Sequence, residues 1–431
     1  MLKRARLKYS AWQSGQRRRK GQPLNASFWM LLAAGAAAAA IWFTTAWLLG
    51  VANDAPVAER AKTRVDAVRT GLAAGAGAGA AVGLMLAFRR QGHQEYDNAE
   101  RRVTELYNAA AEQLGSDKAP VRMTALYTLE RLAKDNEAHR QTIINIICAY
   151  LRMPYIPPEY RQGDERRRAP RRYRATRNNT ALLTPPTPDT DPHEEFQVRL
   201  TAQRLLATHI FSNTERRWND ISLDLTGAAL TDWRLLDRTI NETTFTNTSF
   251  YGHTMFASAI FVDDVGAHND FEGASFFGHV WFGQAHFSQQ ALFDKATFSS
   301  TADFSAVTFA NHSYFSNATF SGRTWFSKAT FSGAVHFDEA SFAEDAHFSK
   351  AVFTGNADFK KAAFAGRARF NKATFAGEVR FDEATFAEGV SLEGATVANV
   401  DLEHVLPSGW RIEPAEGSTG RLVRDPASGS T

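Results

Sequence analysis

Three histidines in the stretch HNDFEGASFFGHVWFGQAHF, His268, His279 and His286, are residues of this 431-residue chain whose type suggests metal chemistry. Their spacing fits no compact ligand pattern, since the metal sites legible in a sequence place ligands in closer pairs. His336 and His347 precede alternate aromatic centres of a repeat, Phe337 and Phe348, and therefore fall on different sides of it. The single cysteine, Cys148, lies in the apolar run IINIICAYL and reads as a core residue rather than a nucleophile. One cysteine also excludes an internal disulfide framework. The glycine-rich run 71–83 is followed by no GK[ST], so it is no phosphate loop. No residue set amounts to a catalytic, cofactor-binding or metal-binding motif, and the expectation is a protein that is not an enzyme.

The elements that carry these residues are set by a repeat. In ATFSGAVHFDEASFAEDAHFSKAVF, residues 329–353, phenylalanines stand at 331, 337, 342, 348 and 353. The series includes Phe304, Phe309, Phe315, Phe320, Phe326, Phe331, Phe337, Phe342, Phe348, Phe353, Phe359, Phe364, Phe370, Phe375, Phe381 and Phe386, and Leu392 and Val397 continue it. Upstream it runs mostly in plain fives through Leu225, Leu230, Leu235, Ile240, Phe245, Phe250, Phe256, Phe261, Gly266 and Phe271. On a helix, at about 100° per residue, a five-residue step turns a centre by about 140°, so alternate rings would leave the face. In a strand alternate side chains share a face. Each A-x-F trio then points two apolar groups inward, and the polar or glycine residues after it make a turn.

One short strand and one turn form one side of a coil. A spare residue after every second unit (Arg323, Ala334, Asp345, Asn356, Arg367, Glu378, Gly389) makes the coil 22 residues long, so like positions stack in columns. Fully burying each ring is worth roughly 1.5–3 kcal/mol before entropy, and the coil should be stiff and dry inside. Outward threonines (Thr308, Thr330, Thr374, Thr396, with Val352 among them) repeat a pattern used by ice-binding solenoids. Threonine is equally what a half-exposed strand favours.

The units ATFSG, ASFAE, ATFAG and ATFAE resemble those of the pentapeptide-repeat family: a small residue, any residue, Leu or Phe, and two polar residues. The resemblance covers about residues 223–404. It implies a right-handed quadrilateral β-helix of about eight coils, a rod on the order of 40 Å long at about 4.8 Å per coil.

Two uncharged runs precede the repeat. Residues 27–51, SFWMLLAAGAAAAAIWFTTAWLLGV, are long enough to span a bilayer and carry Trp29, Trp42 and Trp47 toward their ends. Residues 70–88, TGLAAGAGAGAAVGLMLAF, form the second run. The expectation is two N-terminal transmembrane α-helices. Lys and Arg are richest in the basic segment 1–26, and Arg89 and Arg90 follow the second run, which predicts both ends on the cytoplasmic side of the cell membrane. Gly71, Gly75, Gly79 and Gly83 form a stripe that allows close helix approach in lipid, against the first span or a second copy of the chain in a homo-oligomer.

Residues 94–152 show helical periodicity, with Gly115 closing one helix and Pro120 in the first turn of the next. VRMTALYTLERLA (121–133) is echoed by VRLTAQRLLATHI (198–210), similar to the helix pairs of HEAT-type repeats. The helix 194–211 is expected to cap the open start of the solenoid, whose first coil otherwise leaves unpaired edges. Residues 405–431 are read as a cap carrying Trp410, then a disordered tail. The linker 153–193 holds eight prolines, and eight arginines fall within 161–177. Arg166, Arg167, Arg168, Arg171 and Arg172 are candidates for contact with anionic lipid; a plain spacer is the alternative, and nucleic-acid binding lacks the interleaved aromatics it would need.

AEQLGSDKAPVRMTALYTLERLAKD, together with the apolar runs and the Phe-centred repeat, also resembles membrane-anchored pentapeptide-repeat proteins of actinobacteria. Residues 223–404 carry 12 basic and 22 acidic side chains, net −10, which invites comparison with the DNA-mimicking pentapeptide-repeat proteins that interact with DNA gyrase. Interspersed lysines and arginines dilute that field. The expected function is a membrane-anchored scaffold that displays a rigid β-helical surface to an unidentified protein partner. A gyrase-interacting DNA mimic and an anionic-lipid-binding membrane organiser are the alternatives.

Overall fold

The computed structural model describes residues 35, 38–39, 41–50, 60–160, 191–209, 218, 221–241, 243–262 and 269–425. The basic segment 1–26, much of the first apolar run, all five linker arginines named above, Gly266, His268 and residues 426–431 lie outside the described residues. The chain divides into two units, Met1–Thr104 and Glu105–Thr431.

In the first unit an apolar helix, α1 (Ile41–Gly50), precedes the long helix α2 (Arg60–Leu114), whose last turns belong to the second unit. Among the described residues one segment, Ala61–Gln91 within α2, is long and apolar enough to cross a membrane. The expected second run, 70–88, and the first part of the expected helical region 94–152 are therefore one helix. No proline interrupts residues 60–114, and a helix continues where nothing breaks its hydrogen-bond ladder.

The second unit opens with the end of α2, followed by α3 (Ala119–Asp135), a 3₁₀ turn (Glu137–His139), α4 (Arg140–Arg152) and α5 (Pro192–His209). Pro120 sits in the first turn of α3, where its missing N–H costs nothing. Ala125, Leu126, Leu129, Ile143, Ile147, Cys148, Leu151, Val198, Ala202 and Leu206 form the buried core of this collar.

From residue 221 the chain winds into a four-sided β-solenoid of about eight turns, in which each side is a ladder of parallel two- or three-residue strands. Face 1 runs from Leu223–Asp224 to Val379–Arg380, face 2 from Ala229–Thr231 to Thr385–Phe386, face 3 from Thr254–Met255 to Val390–Ser391, and face 4 from Thr239–Asn241 to Thr396–Val397. Registers such as Val280↔Ala302 and Thr308↔Thr330 show a coil of 22 residues.

Two expectations need correction. Thr244 pairs with Asp270 and Ser249 with Ser275, and Phe261 on face 4 is succeeded on face 1 by Phe271. No side of the solenoid is therefore left for a centre between Phe261 and Phe271, and the coil there is 26 residues long, with an insertion between faces 4 and 1. The tail beyond residue 412 is also not without structure: Trp410–Pro414 and Gly420–Arg424 form an antiparallel hairpin, and the second strand pairs with Thr396–Val397. The last coil of face 4 thereby gains a partner for its open edge.

Phenylalanines fill the interior. Phe304, Phe315, Phe337, Phe348 and Phe370 have no exposed surface. Rings stack along each column, for example Phe326 on Phe348 at 5.0 Å, and meet edge-on across the core, for example Phe337 against Phe348 at 5.5 Å and 83°. Both are geometries that aromatic quadrupoles favour. The corners after faces 1 and 3 place non-glycine residues such as Ala306, Asn317, Glu339 and Lys361 in the left-handed region, with φ from 55° to 59°. Other corners demand closeness rather than handedness: a Cβ at Gly355 would lie 2.5 Å from the carbonyl carbon of Gly333 one coil away.

Candidate interaction surfaces

The collar meets the first coil through two side-chain amides. Gln141 on α4 donates to the carbonyl of Ser222 (2.9 Å) and accepts from its N–H (3.0 Å). Gln203 on α5 does the same to Thr231, at 3.0 and 2.9 Å. A primary amide carries the same donor and acceptor as a peptide group, so each glutamine stands in for a neighbouring strand at an edge that has none. Arg152 adds an ion pair to Asp224.

The echoed motifs VRMTA and VRLTA place Arg122 and Arg199 at matching positions, and both side chains are buried. They converge on Glu195, at 3.3 and 2.6 Å, and the Tyr150 hydroxyl donates to the same carboxylate. Arg199 also donates to the carbonyls of Leu151 and Met153, tying down the C-terminal end of α4. Burial, with Glu195 beside it, pushes the Tyr150 phenol upward. Burial pushes the Cys148 thiol up to about 12, which leaves it un-ionised and a poor nucleophile at neutral pH.

Each solenoid face presents a distinct surface. On face 4 the outward residues flanking the rings become mostly small after Ile260, Val262 and His286 in the early coils, as in Thr330-Phe331-Ser332 and Thr374-Phe375-Ala376. Face 2 begins with aromatics: Tyr251 stacks on Phe277 at 4.7 Å, and Tyr160, whose hydroxyl accepts the N–H of Gly252, lies 4.9 Å from Tyr251. Beyond them it too becomes a field of Ser, Thr and Ala. Face 1 shows Tyr314 stacked on His336 at 5.1 Å, and a mixed acidic corner follows it. There, burial raises the Asp294 carboxyl above its usual range, helped by Glu272 and Asp338 and opposed by hydrogen bonding to Ser316.

Faces 1 and 3 both carry large outward groups: Leu292, Tyr314, His336, Asp358 and Arg380 succeed one another on face 1, and Trp281, Asp303, Trp325, His347 and Arg369 on face 3, the face that shows tryptophan. His253 and His279 stack at 5.6 Å on the corner before it, next to Trp281. Trp325 stacks on His347 at 5.8 Å, and Arg369 pairs with Asp345 at 3.2 Å. Burial first, then the Arg369 guanidinium, holds the His347 imidazolium below its usual range.

Of the three histidines singled out first, His279 and His286 do not meet: His279 lies on the corner before face 3 and His286 on face 4. Among the described residues no group of three His, Cys, Asp or Glu side chains could hold a metal. In the first unit an added Cβ on Gly71 would sit 2.6 Å from Thr45 Oγ1, and one on Gly75 would sit 3.0 Å from Ile41, while Gly79 and Gly83 meet nothing within 4 Å. Half of the glycine stripe is thus pressed against α1.

At the C-terminal end a groove of about 760 Å³ opens between Phe381, Phe386, Val390, Leu406, Pro407 and Trp410. Sequence reasoning missed the two glutamines and the hairpin. The face-3 column, by contrast, can be read by listing every twenty-second residue from Trp281.

A four-sided β-solenoid filled with phenylalanine places its variable chemistry on the outside, the arrangement of a structural or interaction module. Residues 282–330, 315–363 and 359–406 match the family described as pentapeptide repeats (9 copies), so this stretch of the solenoid is built of pentapeptide repeats. Among solved structures, HetL, a pentapeptide repeat protein involved in heterocyst differentiation regulation from the cyanobacterium Nostoc sp. strain PCC 7120, is similar at 13% identity, with 40% of this chain and 86% of that chain covered and a TM-score of 0.17. No curated protein matches the chain.

Proposed function

We propose that this pentapeptide-repeat protein is a membrane-anchored, non-enzymatic scaffold whose solenoid displays a rigid recognition surface to another protein. The observation that carries the reading is the division of labour in the repeat. Inward positions are held to Phe and a small residue, most often Ala, while outward positions on one face run through Trp, Asp, His and Arg. A stiff surface loses little conformational entropy on binding.

The apolar segment Ala61–Gln91 and the packing of Gly71 and Gly75 on α1 support an anchor of two spans, with the flanking Lys and Arg favouring cytoplasmic ends. The collar, with its HEAT-like echo, serves as a cap to the first coil, and the charge of the linker arginines suits contact with anionic lipid.

The reading is tested by cross-linked capture from native membranes, comparing the full chain with one ending after residue 222, insertion of both being verified. Partners that disappear with the solenoid are the expected result. Identical partners from both chains would overturn it.

A further inference from the structure

We propose that the strip formed by Trp325, His347 and Arg369 on face 3, beside Lys328, Lys350 and Lys372 on the corner that follows it, is a docking site for an acidic, extended segment of a partner protein. The inference rests on the reading of the solenoid as a recognition surface and names the face and the partner's chemistry.

Three observations carry it. First, the three lysines occupy successive coils of one column, so like charges stack about 4.8 Å apart in backbone spacing. All three are exposed, and none is ion-paired among the described residues. The arginines nearby are already matched: Arg323 to Glu344 at 3.8 Å, Arg367 to Glu388 at 3.6 Å and Arg369 to Asp345 at 3.2 Å. The lysine column is therefore the surplus positive charge of this face.

Second, each lysine sits in the left-handed region, with φ of 61°, 60° and 57°, where Gly or Asn is easier to place. The matching column after face 1 reads Lys295, Asn317, Glu339, Lys361 and Glu383, in which signs mix and repulsion cancels. The fold thus tolerates other residues here, and a run of three lysines departs from local preference where departures tend to be functional.

Third, the strip places aromatic surface against the charge. Trp325 is half-buried and stacked on His347, a fixed platform of the residue type that anchors protein interfaces. Charge also decides the class of partner. The solenoid is net −10 by sequence, and Asp303, Glu344, Asp345, Glu388 and Glu393 border the strip. A continuous polyanion such as nucleic acid would be repelled along most of its length. A short acidic segment with one apolar side chain meets the lysines and Trp325 only.

The probe is a labelled short peptide alternating Glu and Ser around a central Phe, titrated against the full chain in neutral detergent micelles. The test variant carries Lys328→Glu, Lys350→Glu and Lys372→Glu. The control variant carries Lys295→Glu, Lys360→Glu and Lys361→Glu, an equal change in charge on another corner. Exposed ion pairs contribute modestly, so three reversals should weaken binding about tenfold or more, with little change in the control and with affinity falling as salt rises. Trp325→Ala should weaken it separately.

Absence of saturable peptide binding overturns the proposal, as does equal weakening by both variants. So does lysine-dependent binding of phosphatidylserine vesicles or single-stranded DNA in place of the peptide. Capture from membranes by the test variant separates the two levels of inference: solenoid-dependent partners that survive the reversals sink this strip but leave the scaffold reading standing.

Discussion

Replacing Phe337 by alanine should cost far more than the same change at Phe386, although both are centres of the same repeat. Phe337 has no exposed surface and stacks between Phe315 at 4.8 Å and Phe359 at 5.1 Å, with Phe326 and Phe348 edge-on at 5.3 and 5.5 Å. Rings stacked above and below prevent the hole from collapsing, so the loss should reach about 3–5 kcal/mol, the range for a buried Phe→Ala. Phe386, in the last coil, is half-buried and has Phe364 at 5.1 Å and Phe381 at 5.9 Å as ring neighbours, so about 1–2 kcal/mol is expected. Several units in one chain make a single unfolding free energy ill-defined. Native-state hydrogen exchange read by peptide is the suitable assay, because coils mainly feel their neighbours. Protection across 315–359 should fall by roughly two to three powers of ten in the Phe337 variant, at about 1.4 kcal/mol per power of ten, while the collar keeps its protection. Equal losses from the two variants, or a loss spread evenly over collar and solenoid, would refute the stacked-column account.

Removing the Gln203 amide with Gln203→Ala leaves both backbone groups of Thr231 unpaired at a partly buried edge. A loss of about 1–3 kcal/mol is expected, seen as faster exchange confined to residues 223–241. Ala306→Val places a β-branched residue at φ 55° and should lower local stability by about 1 kcal/mol or more, whereas Ala306→Gly should be tolerated; equal effects from the two would contradict the left-handed corner. Asp294 has its carboxyl raised by burial, so the group favours the fold when protonated, and that contribution is lost as pH rises through its folded pKa. Asp294→Asn, which can still accept the Ser316 N–H, should therefore melt higher than the native chain at pH 7, with the gap closing toward pH 4; a gap that widens in acid would show the sign to be wrong.

Most of the solenoid was legible because its constraint is local and periodic. An inward ring every five or six residues forces a strand and a turn, and the 22-residue period alone predicts which residues share a column. Gly266 misled because it stands five residues after Phe261, where a centre was due, although its type offers nothing to bury. The terminal hairpin escaped notice because Trp410–Pro414 and Gly420–Arg424 are short and polar at many positions, and the alternation of Trp410, Arg411, Ile412 and Glu413 is too brief to stand out. Their pairing is dictated by the open edge of Thr396–Val397, which lies outside their own sequence. Gln141 and Gln203 were illegible for the same reason: each is an ordinary surface residue of its helix until the first coil is set beside it. The Arg122 and Arg199 echo was visible as a repeat, but their convergence on Glu195 required the packing of α3 on α5.

The separation of inward from outward positions also says where to look for function. Ala346 and Phe348 are dictated by the core, but His347 between them is not, and neither is Arg369 one coil further on. The later coils of faces 2 and 4 show what the fold requires when nothing else is asked of it, which is mostly Thr, Ser and Ala around each ring. Against that background the tryptophans of face 3 give up no core packing and gain none. The three lysines beside them go further, since left-handed backbone and mutual repulsion both act against folding. A surface that is costly to the fold at one column and neutral at the next places its function at the costly column, and charge reversal there, but not at the corner after face 1, is the change that should separate recognition from stability.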